Sequence, residues 1–585
     1  MIAVDKIRIQ GFRGIASLQM RLERSTVLIG PNNCGKTSVL KALQLALSDE
    51  HAADGHDFHR AADGTVATEI IIDVRFIPVS EAGLRRRRFA PVWAEALKDC
   101  IRHDRRDSFA FRTRIAPGPG GTIEKTRHLL LNWDGGDVGR ELKEPLPFIR
   151  MCLLEAEDDL QGALMRPGSF ISTAYESLRE DVLAHPQYAN LPIHDLRAQL
   201  DRLAENLEGP GSGLPDEMEF SPSSIGRFIE LVKSEGASQR LRAVLGLGTQ
   251  KSLLMLAAVV LIEGLSRQAE AHGWPFFMLI AAEEPEGHLH PNAQRMLMDR
   301  LMALSHQFVV ATHSPYIASI PGPESLRSMS QLHDVVEVHR LPGKMDPGDV
   351  RALKRLILRL RGEVLFARGL MFVEGVTEEQ LIRGMFHARF GDDPSAFGIT
   401  IVGVDGKSYA PFFLLALSLR KPFCVVSDND GDTAHVVLKQ LADVERKVEF
   451  GRRQNQSQVF FLSPGLAMEG ELVYKLNLRN ELIDALIACT HLTDPTPKNL
   501  RRQRERLVEL SDRELKLRLE KKKSEYSGFL GDIILENPYR RRLNQRLPKA
   551  VRDAFSLMDG WIKDDSRAAV AQTSSNPGTD DDSAA

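Results

Sequence analysis

Several features that would narrow the class of this 585-residue chain are scarce or missing. Lys and Arg number 76 against 79 Asp and Glu, a formal net charge of −3, which excludes a uniformly basic nucleic-acid binder and leaves only local basic patches. The five cysteines are odd in number and lack metal-ligand spacing, so we expect a reducing cytoplasm. The longest apolar run, 253–262, has ten residues. With no signal-peptide pattern at the start, we expect a cytoplasmic protein without a membrane segment.

Long-range periodicity is missing as well. No repeat of solenoid period and no sustained heptads occur, which disfavours solenoids and long coiled coils. A chain of 585 residues exceeds what one hydrophobic core usually organises, so two or three domains are expected.

A glycine-rich segment, GPNNCGKTS at residues 30–38, lies between a predicted strand at 26–29 and a predicted helix at 36–47. The spacing G-x-x-x-x-G-K-T lets backbone N–H groups surround phosphates while the helix N-terminus faces them. Lys36 supplies a charge and the Thr37 hydroxyl a contact to Mg²⁺. This context predicts an ATP-binding loop, whose expected contacts are Asn32, Asn33, Gly35, Lys36, Thr37 and Ser38.

Two apolar stretches, 276–282 and 307–311, predict buried parallel strands that end in polar clusters. After the first, Glu283 is expected to hold Mg²⁺ with Thr37, and Glu284 to orient the attacking water as a catalytic residue. A solvated acidic turn is the simpler alternative. His313 at the end of the second stretch favours the catalytic interpretation.

Residues 1–48 and 240–320 resemble the ATPase head of the ABC superfamily in its RecF and SMC branch. The resemblance is carried by IQGFRG at 9–14 and by EEPEGHLHP at 283–291, which is similar to a Walker B motif and D-loop. It implies that His313 is the switch histidine, and that a signature segment of one copy completes the ATP site of another.

The signature candidate is LGLGTQKS at 245–252, with Gly248 and Gln250 as expected nucleotide contacts. It departs from the common pattern because no serine precedes its glycine, and a glycine-rich helix entry remains the alternative. The resemblance implies a homodimer or a higher even oligomer formed through the ATPase heads.

The second half of the chain predicts a smaller parallel sheet, with strands at 370–373, 399–404, 423–427 and 459–462. Acidic residues follow these strands: Glu374 and Glu378 after the first, Asp428 and Asp430 after the third, and Glu469 or Glu471 after the fourth. Any one of them is most simply a solvated carboxylate. Together they predict a site for Mg²⁺ or Mn²⁺, with Ca²⁺ also admissible, because hard oxygen ligands suit these ions.

This half resembles the Toprim fold, in which a Glu on the first strand and a D-x-D on a later one bind metal. With the ATPase head before it, nearly the whole chain resembles the OLD family of ATP-dependent nucleases. The resemblance implies DNA cleavage, commonly in defence against phage, with Glu378 also among the catalytic residues. The implied metal ligands are Glu374, Glu378, Asp428, Asp430 and Glu469.

Family members also carry a lysine that stabilises the transition-state phosphate. Lys523 in the run 521–523 fits best, although either neighbour could serve, and a solvated helix face is the alternative. Residues 498–549 contain sixteen Lys or Arg against eight Asp or Glu, which suits sequence-independent contacts to DNA.

The expected fold class is therefore α/β: an ABC-type ATPase, RecF/SMC-like, with a helical insertion, followed by a Toprim domain with a Rossmann-like parallel sheet. The expected boundaries are 1–165 and 241–362 for the two parts of the ATPase, 166–240 for a helical, dimerising insertion, 363–562 for the Toprim domain with its basic helical end, and 563–585 for a disordered tail.

The expected function is an ATP-dependent or ATP-regulated, metal-dependent DNA endonuclease, in anti-phage defence or DNA processing. One alternative is an ATP-gated DNA clamp or repair sensor without cleavage activity. Another makes ATP hydrolysis the output and the nuclease a toxin that is released when ATP or nucleotide pools fall. A topoisomerase is disfavoured because none of the seven tyrosines lies in a recognisable motif. Expected partners are DNA, further copies of the chain and a helicase encoded nearby.

Overall fold

The structure is a computed structural model. It describes residues 1–48, 52–81, 83–142, 146, 148–156, 247–287, 289–303, 306–332, 335–343, 345–359, 362–448, 458–476, 478–490, 496–536 and 546–574. The chain divides into two compact units, Met1–Arg340 and Leu341–Ala585. The predicted helical insertion at 166–240 lies outside the described residues.

The division between the units falls earlier than the predicted boundary at 362/363. The helix Pro347–Arg359, which the sequence assigned to the ATPase, packs against the helix Ala410–Ser418 of the second unit. The buried residues Leu353 and Leu356 give this helix an apolar face. An apolar stripe in the sequence predicts that one face of a helix is buried, but it does not indicate which of two domains covers that face. The sequence therefore did not determine to which domain this helix belongs.

The described part of the first unit contains twelve strands and five α-helices. The strands are β1 (Ile2–Phe12), β2 (Ile15–Arg21), β3 (Ser25–Ile29), β4 (Ile70–Pro78), β5 (Phe109–Pro117), β6 (Ile123–Leu130), β7 (Val138–Glu141), β8 (Ile149–Leu154), β9 (Phe277–Glu283), β10 (Gln307–Ala311), β11 (Leu326–Leu332) and β12 (Val335–His339). The helices are α1 (Lys36–Leu47), α2 (Pro91–Leu97), α3 (Leu247–His272), α4 (Pro291–Ala303) and α5 (Pro315–Ser319).

These strands form two six-stranded sheets. The first has the order β2-β1-β4-β5-β6-β7 and is antiparallel throughout. The second has the order β12-β11-β3-β10-β9-β8, and only β12 runs antiparallel to its neighbour. Leu28, Ala311 and Glu283 lie in one row across the second sheet. The segments that follow β3, β10 and β9 therefore meet at one edge.

The described part of the second unit has a four-stranded sheet surrounded by helices. The strands are β13 (Gly369–Val373), β14 (Ile399–Gly403), β15 (Phe423–Ser427) and β16 (Gln458–Phe461). The helices are α6 (Pro347–Arg359), α7 (Glu363–Phe366), α8 (Val376–Phe390), α9 (Ala410–Ser418), α10 (Thr433–Lys447), α11 (Met468–Tyr474), α12 (Arg479–Ala488), α13 (Pro497–Val508), α14 (Asp512–Glu520), α15 (Lys523–Glu536) and α16 (Lys549–Ser574).

The sheet order is β14-β13-β15-β16 and every pair is parallel, so the predicted parallel sheet is confirmed. Val373 pairs with Val426, next to the ends of β13 and β15. The carboxyl ends of these two central strands are therefore neighbours, and Glu374 and Asp428 follow them directly.

Helix α16 extends into the segment that the sequence predicts to be disordered from residue 563. Its first turns pack through Val551 and Phe555, and the alanine-rich stretch 568–571 has high helix propensity, so the helix continues to Ser574. Residues 575–585 lie outside the described part. Within the described ranges, no helix combines the length and apolarity that crossing a bilayer requires.

Candidate functional site

The loop after β3 has a backbone that glycine makes possible. Gly30 has a φ of 152°, and a Cβ there would lie 2.3 Å from the carbonyl oxygen of Met329 on β11. Gly35, just before α1, has a φ of 92°. Asn33 also lies in the left-handed region, with a φ of 62°. The loop thus turns tightly onto the N-terminus of α1, where free N–H groups and the helix dipole favour phosphate.

Lys36 and Thr37 occupy the first turn of α1. Lys36 is buried, and its Nζ donates to the carbonyl oxygens of Gly30 at 3.0 Å and Pro31 at 2.8 Å. Burial lowers the pKa of Lys36. Thr37 Oγ1 donates a hydrogen bond to Glu283 Oε1. The two residues predicted to share Mg²⁺ are therefore in contact.

The other predicted loop contacts differ in exposure: Asn32 and Asn33 are exposed on the loop, whereas Ser38 is buried in α1. The structure thus presents the two asparagines to solvent beside the glycine-rich turn. Their assignment to ATP stays a prediction.

Glu284 and His313 face each other at the same sheet edge. Glu284 has a φ of 42°, and its backbone N–H donates to the carbonyl oxygen of Ala311 at 2.8 Å. His313 Nε2 lies 3.9 Å from Glu284 Oε1. Burial lowers the pKa of His313, so its neutral form is favoured. A carboxylate and a neutral imidazole beside the phosphate loop form a pair suited to orienting a water molecule.

The sequence interpretation gave no role to Glu286. Its Oε1 accepts from Thr312 Oγ1 at 2.8 Å, from the backbone N–H of His313 at 2.6 Å and from that of Ser314 at 2.9 Å. Glu286 therefore holds the loop that carries His313. The signal was available in the motif EEPEG, where an acid follows Glu284 by two positions.

The signature candidate lies only partly within the described residues. Gly248 and Gln250 belong to the first turn of α3, whereas residues 245 and 246 lie outside. Their contact with nucleotide in another copy stays a prediction.

Glu374 and Glu378 flank the turn between β13 and α8. Glu374 Oε2 is buried without a hydrogen-bond partner among the described residues. Glu378 is buried, and its Oε2 accepts from the backbone N–H of Gly375 at 2.9 Å. Burial raises the pKa of both carboxyls, and nearby carboxylates raise them further.

Asp428 and Asp430 follow β15 in different environments. Asp428 is buried, and burial together with Glu374 and Glu378 raises its pKa to about 8. Asp430 is half exposed, accepts from Thr433 Oγ1 at 2.7 Å and lies 4.0 Å from Lys407 Nζ. Asp428 is therefore protonated below about pH 8 unless a cation stabilises its ionised form. Asp430 lies at the solvent side of this site.

The structure separates the two candidates on α11. Both carboxyl oxygens of Glu471 accept hydrogen bonds from Ser463, at 3.1 Å from its N–H and 3.2 Å from its hydroxyl. Glu469 is 1% exposed, and its Oε1 has no hydrogen-bond partner in the described part of the chain. Glu469 therefore faces Glu374, Glu378 and Asp428, and these four acids form the acidic cluster. Glu471 instead stabilises the loop after β16.

The lysines at 521–523 are also distinguished. Lys522 Nζ contacts Glu525 at 2.8 Å and the carbonyl oxygen of Cys489 at 3.4 Å, and Lys521 is exposed. Lys523 Nζ lies 3.8 Å from Glu469 Oε1. Burial lowers the pKa of Lys523, but the surrounding carboxylates outweigh it and the pKa is raised, so this ammonium stays charged.

A close helix contact positions Lys523. A Cβ on Gly384 of α8 would lie 2.6 Å from the Cα of Gly531 of α15, so the two helices touch through glycines. Ser527 Oγ donates to Gln380 Oε1 across the same contact at 2.6 Å. Because α8 carries Glu378 and α15 begins at Lys523, this packing brings the lysine to the acidic cluster.

Two further residues at the cluster were missed by sequence reasoning. Tyr526, one turn after Lys523, is fully buried with an unpartnered hydroxyl, and burial and then Glu469 raise its pKa. Lys407, after β14, lies 3.3 Å from Asp432 Oδ1 as well as 4.0 Å from Asp430. For Tyr526 the available sequence signal was its position three residues after Lys523, and for Lys407 it was the DGK turn at 405–407.

The donor set fits Mg²⁺ or Mn²⁺. Three buried carboxylate oxygens, on Glu374, Asp428 and Glu469, lack hydrogen-bond partners among the described residues, and such atoms are rare because each is costly. Among the same described residues, no three acidic, His or Cys side chains lie close enough together to hold a metal ion without rearranging. Mutual repulsion opposes closer approach of carboxylates until a cation neutralises them. An all-oxygen set of this charge is typical of hard divalent ions.

Comparisons with known proteins agree with this arrangement. A family profile described as overcoming lysogenization defect protein-like, TOPRIM domain, matches residues 365–430, which include Glu374 to Asp430. A profile described as AAA ATPase domain matches residues 3–130 and 219–318, which include the phosphate loop and His313. The expected α/β class, with an ATPase head before a Toprim domain, is confirmed.

Relatives extend over most of the chain. It is 25% identical over 509 residues to the OLD nuclease of Thermus scotoductus, covering 79% of this chain and 90% of that protein. It is 25% identical over 445 residues to the Old nuclease of Escherichia phage P2, covering 69% and 73%. The solved C-terminal region of the Burkholderia pseudomallei OLD protein is 20% identical, with a TM-score of 0.24 over 34% of this chain and 98% of that one. The chain therefore combines an AAA ATPase domain with an overcoming lysogenization defect (OLD)-like Toprim domain, and its similarity to OLD nucleases extends over most of its length.

Proposed function

We propose that this protein is a divalent-metal-dependent DNA endonuclease regulated by ATP. The observation that carries the proposal is a set of buried carboxylate oxygens, on Glu374, Asp428 and Glu469, that have no hydrogen-bond partner among the described residues, with Lys523 beside them. Carboxylates in this state require a cation, and oxygen-ligated divalent ions serve phosphodiester cleavage. The nuclease names of the relatives support the same activity.

The five acids Glu374, Glu378, Asp428, Asp430 and Glu469 would hold the ions, which supply an activated water and neutralise charge at the leaving oxygen. Glu378 has a second role, because a carboxyl whose pKa is raised is better suited to accept a proton during cleavage. Lys523 stays protonated and neutralises charge that develops on the phosphate.

The ATPase half is assigned ATP binding and hydrolysis. Lys36 and the N-terminus of α1 hold phosphate, Thr37 and Glu283 hold Mg²⁺, and Glu284 with His313 orients the attacking water. ATP clamps two copies through their heads, with Gly248 and Gln250 reaching the partner's nucleotide. The nuclease responds because the clamped and open states differ in affinity for DNA or metal. The biological setting is anti-phage defence or DNA processing, with a helicase encoded nearby as a partner.

A plasmid assay tests the nuclease. Supercoiled plasmid is incubated with Mg²⁺, Mn²⁺ or Ca²⁺, with and without ATP, and nicked and linear products are separated on a gel. We expect cleavage that Asp428→Ala and Glu378→Ala abolish and that Glu471→Gln, a buried acid bound to Ser463, retains. Full cleavage by Glu378→Ala would overturn the site. DNA binding without cleavage under every metal would favour the clamp alternative.

Lys36→Ala tests the coupling in the same assay. Loss of cleavage indicates activation by ATP, and increased cleavage indicates inhibition. Equal cleavage by Lys36→Ala and wild type, with and without ATP, would contradict regulation by ATP.

A further inference from the structure

The outer face of the antiparallel sheet in the first unit is strongly basic. On β1, Ile7 and Ile9 are buried, whereas Lys6 and Arg8 alternate with them on the other face. Lys6 pairs with Arg21 on β2 and with Arg75 on β4, so three cations form one row across three strands. Like charges directly opposite each other destabilise a sheet.

Trp133 organises this row. Its ring lies 5.0 Å from the guanidinium of Arg8, 5.5 Å from that of Arg75 and 5.8 Å from Lys6 Nζ. The ring is almost fully buried beneath them. Cation–π contacts hold cations in place without removing their charge.

Two aspartates fix the guanidiniums further. Asp5 accepts from Arg75 Nε at 2.8 Å, and the fully buried Asp73 accepts from Arg112 Nε at 2.8 Å and from Arg8 Nη1 at 3.3 Å. Two carboxylates therefore orient three arginines, while Lys6 and Arg21 add further positive charge. The face is positioned by its acids but not neutralised by them.

Two neighbouring loops extend the positive charge. Arg85 and Arg106 are exposed, and neither has an ion pair within the part of the chain that the structure describes. Partial desolvation lowers the pKa of Arg85, Asp5 opposes this shift, and Arg75, Arg106 and Arg21 add to it, which places these guanidiniums within electrostatic reach of one another. Asp107 joins the loops, because its N–H donates to the carbonyl oxygen of Arg87 at 2.8 Å.

We propose that this arginine face, comprising Lys6, Arg8, Arg21, Arg75, Arg85, Arg106 and Arg112, binds the phosphate backbone of double-stranded DNA. Guanidinium groups match phosphate oxygens with paired N–H donors, which the exposed Arg21, Arg85 and Arg106 can offer. Arg8, Arg75 and Arg112, whose ion-paired side chains are 16–18% exposed, add fixed positive charge to the same face. A chain with a net charge of −3 that concentrates cations on one sheet presents a local attractive field to a polyanion. The choice of DNA as the polyanion rests on the proposed function.

This contact is distinct from the residues assigned to cleavage, because it belongs to the ATPase unit. It has the character of backbone recognition: independent of sequence and sensitive to salt. Its role is to retain the duplex while the Toprim acids act.

The test removes charge where folding is least affected. Arg21, Arg85 and Arg106 are exposed, so the triple variant Arg21→Gln, Arg85→Gln, Arg106→Gln leaves the contacts of Trp133 with Lys6, Arg8 and Arg75 intact. The matched control removes three exposed cations elsewhere: Arg295→Gln, Arg389→Gln, Lys439→Gln. Both are made with Asp428→Ala and without divalent metal, so that cleavage does not interfere. Binding of a fluorescent duplex of random sequence is measured by anisotropy over a salt series.

We expect the triple variant to bind duplex about tenfold or more weakly at moderate salt, with the slope of log K against log salt reduced by about 0.9 for each phosphate that the protein no longer neutralises. The control binds like the parent, and the corresponding Lys variants retain most affinity because charge remains. An unchanged affinity and slope in the triple variant would overturn the proposal, as would an equal loss in the control. Unchanged thermal denaturation and ATP hydrolysis exclude misfolding as the cause.

The outcome is separable from the proposed nuclease function. If wild type does not cleave plasmid but the triple variant loses duplex binding, the nuclease proposal fails and the arginine face stands. If wild type cleaves and the triple variant binds and cuts equally well, the arginine face alone fails.

Discussion

Lys523 Nζ lies 3.8 Å from Glu469 Oε1, and the two residues come from different helices, α15 and α11. Glu469 is buried, whereas the Lys523 side chain is 54% exposed. The ammonium group therefore contacts the acidic cluster on one side and solvent on the other. A cation that meets an incoming phosphate at a metal site needs this placement.

Replacing Lys523 separates catalysis from metal binding. We expect Lys523→Ala to lower the rate of the chemical step by about 10²–10³-fold, the usual cost of losing one group that stabilises transition-state charge. Single-turnover cleavage measures that rate, and calorimetric titration with Mn²⁺ should show retained metal binding. Lys522→Ala is the matched control, because Lys522 contacts Glu525 and Cys489. Equal effects of the two variants would contradict the assignment.

The raised pKa of Asp428 makes metal binding dependent on pH. A carboxyl with a pKa of about 8 is protonated below that pH and must release its proton before a cation binds. Metal affinity should therefore rise as pH increases towards 8, by at most about tenfold per unit for each proton released, and level off above it.

Calorimetry without ATP, at pH 6 to 9 and in buffers of different ionisation enthalpy, counts the released protons. Glu471→Gln should titrate like wild type, because Glu471 is bound to Ser463. A metal affinity that does not change with pH would show that Asp428 is already ionised.

The sequence predicts the main elements of both sites because local patterns determine them. Apolar runs that end in polar or turn-forming residues gave β9, β10 and the four strands of the second sheet, and the spacing from Gly30 to Lys36 gave the phosphate loop. These signals depend on neighbours in the chain: strand burial, helix start and the left-handed backbone at Gly30 and Gly35.

Other features depend on contacts that sequence spacing does not determine. Glu469 and Glu471 lie two positions apart on one short helix, and their side chains face different ways. Ser463 binds both carboxyl oxygens of Glu471, which leaves Glu469 as the acid available to a metal ion. The arginine row requires the register of β1 against β4, which shifts between Val4 and Lys6. A bulge of this kind changes which side chains share a face and has no reliable sequence signature here.

Glu286 should govern ATP hydrolysis through the loop that carries His313. Glu286→Ala removes the acceptor for one hydroxyl and two backbone N–H groups, and we expect the first unit to lose about 1–3 kcal/mol of stability. ATP hydrolysis should fall by about tenfold or more, equivalent to about 1.4 kcal/mol in the barrier. Glu286→Gln retains one acceptor oxygen and should be milder. Phosphate release and thermal denaturation check both effects, and wild-type hydrolysis by Glu286→Ala would exclude this positioning role.

Lys407 tests whether the solvent side of the acidic cluster holds DNA. Its Nζ contacts Asp432 at 3.3 Å and Asp430 at 4.0 Å, and its side chain is partly exposed. We expect Lys407→Ala to raise the KM for DNA about five- to tenfold with a smaller change in kcat, because removing one cation that binds phosphate weakens DNA binding by about 1 kcal/mol.

The control for Lys407 is Asp432→Asn, which breaks the ion pair but retains the lysine. If Lys407 binds phosphate, Asp432→Asn should leave the KM unchanged or lower it, since the ammonium is released from its partner. If Lys407 serves only to hold Asp432, the two variants should behave alike. Measurement above pH 8 keeps Asp428 ionised in both, so a difference between them reports on DNA rather than on metal binding.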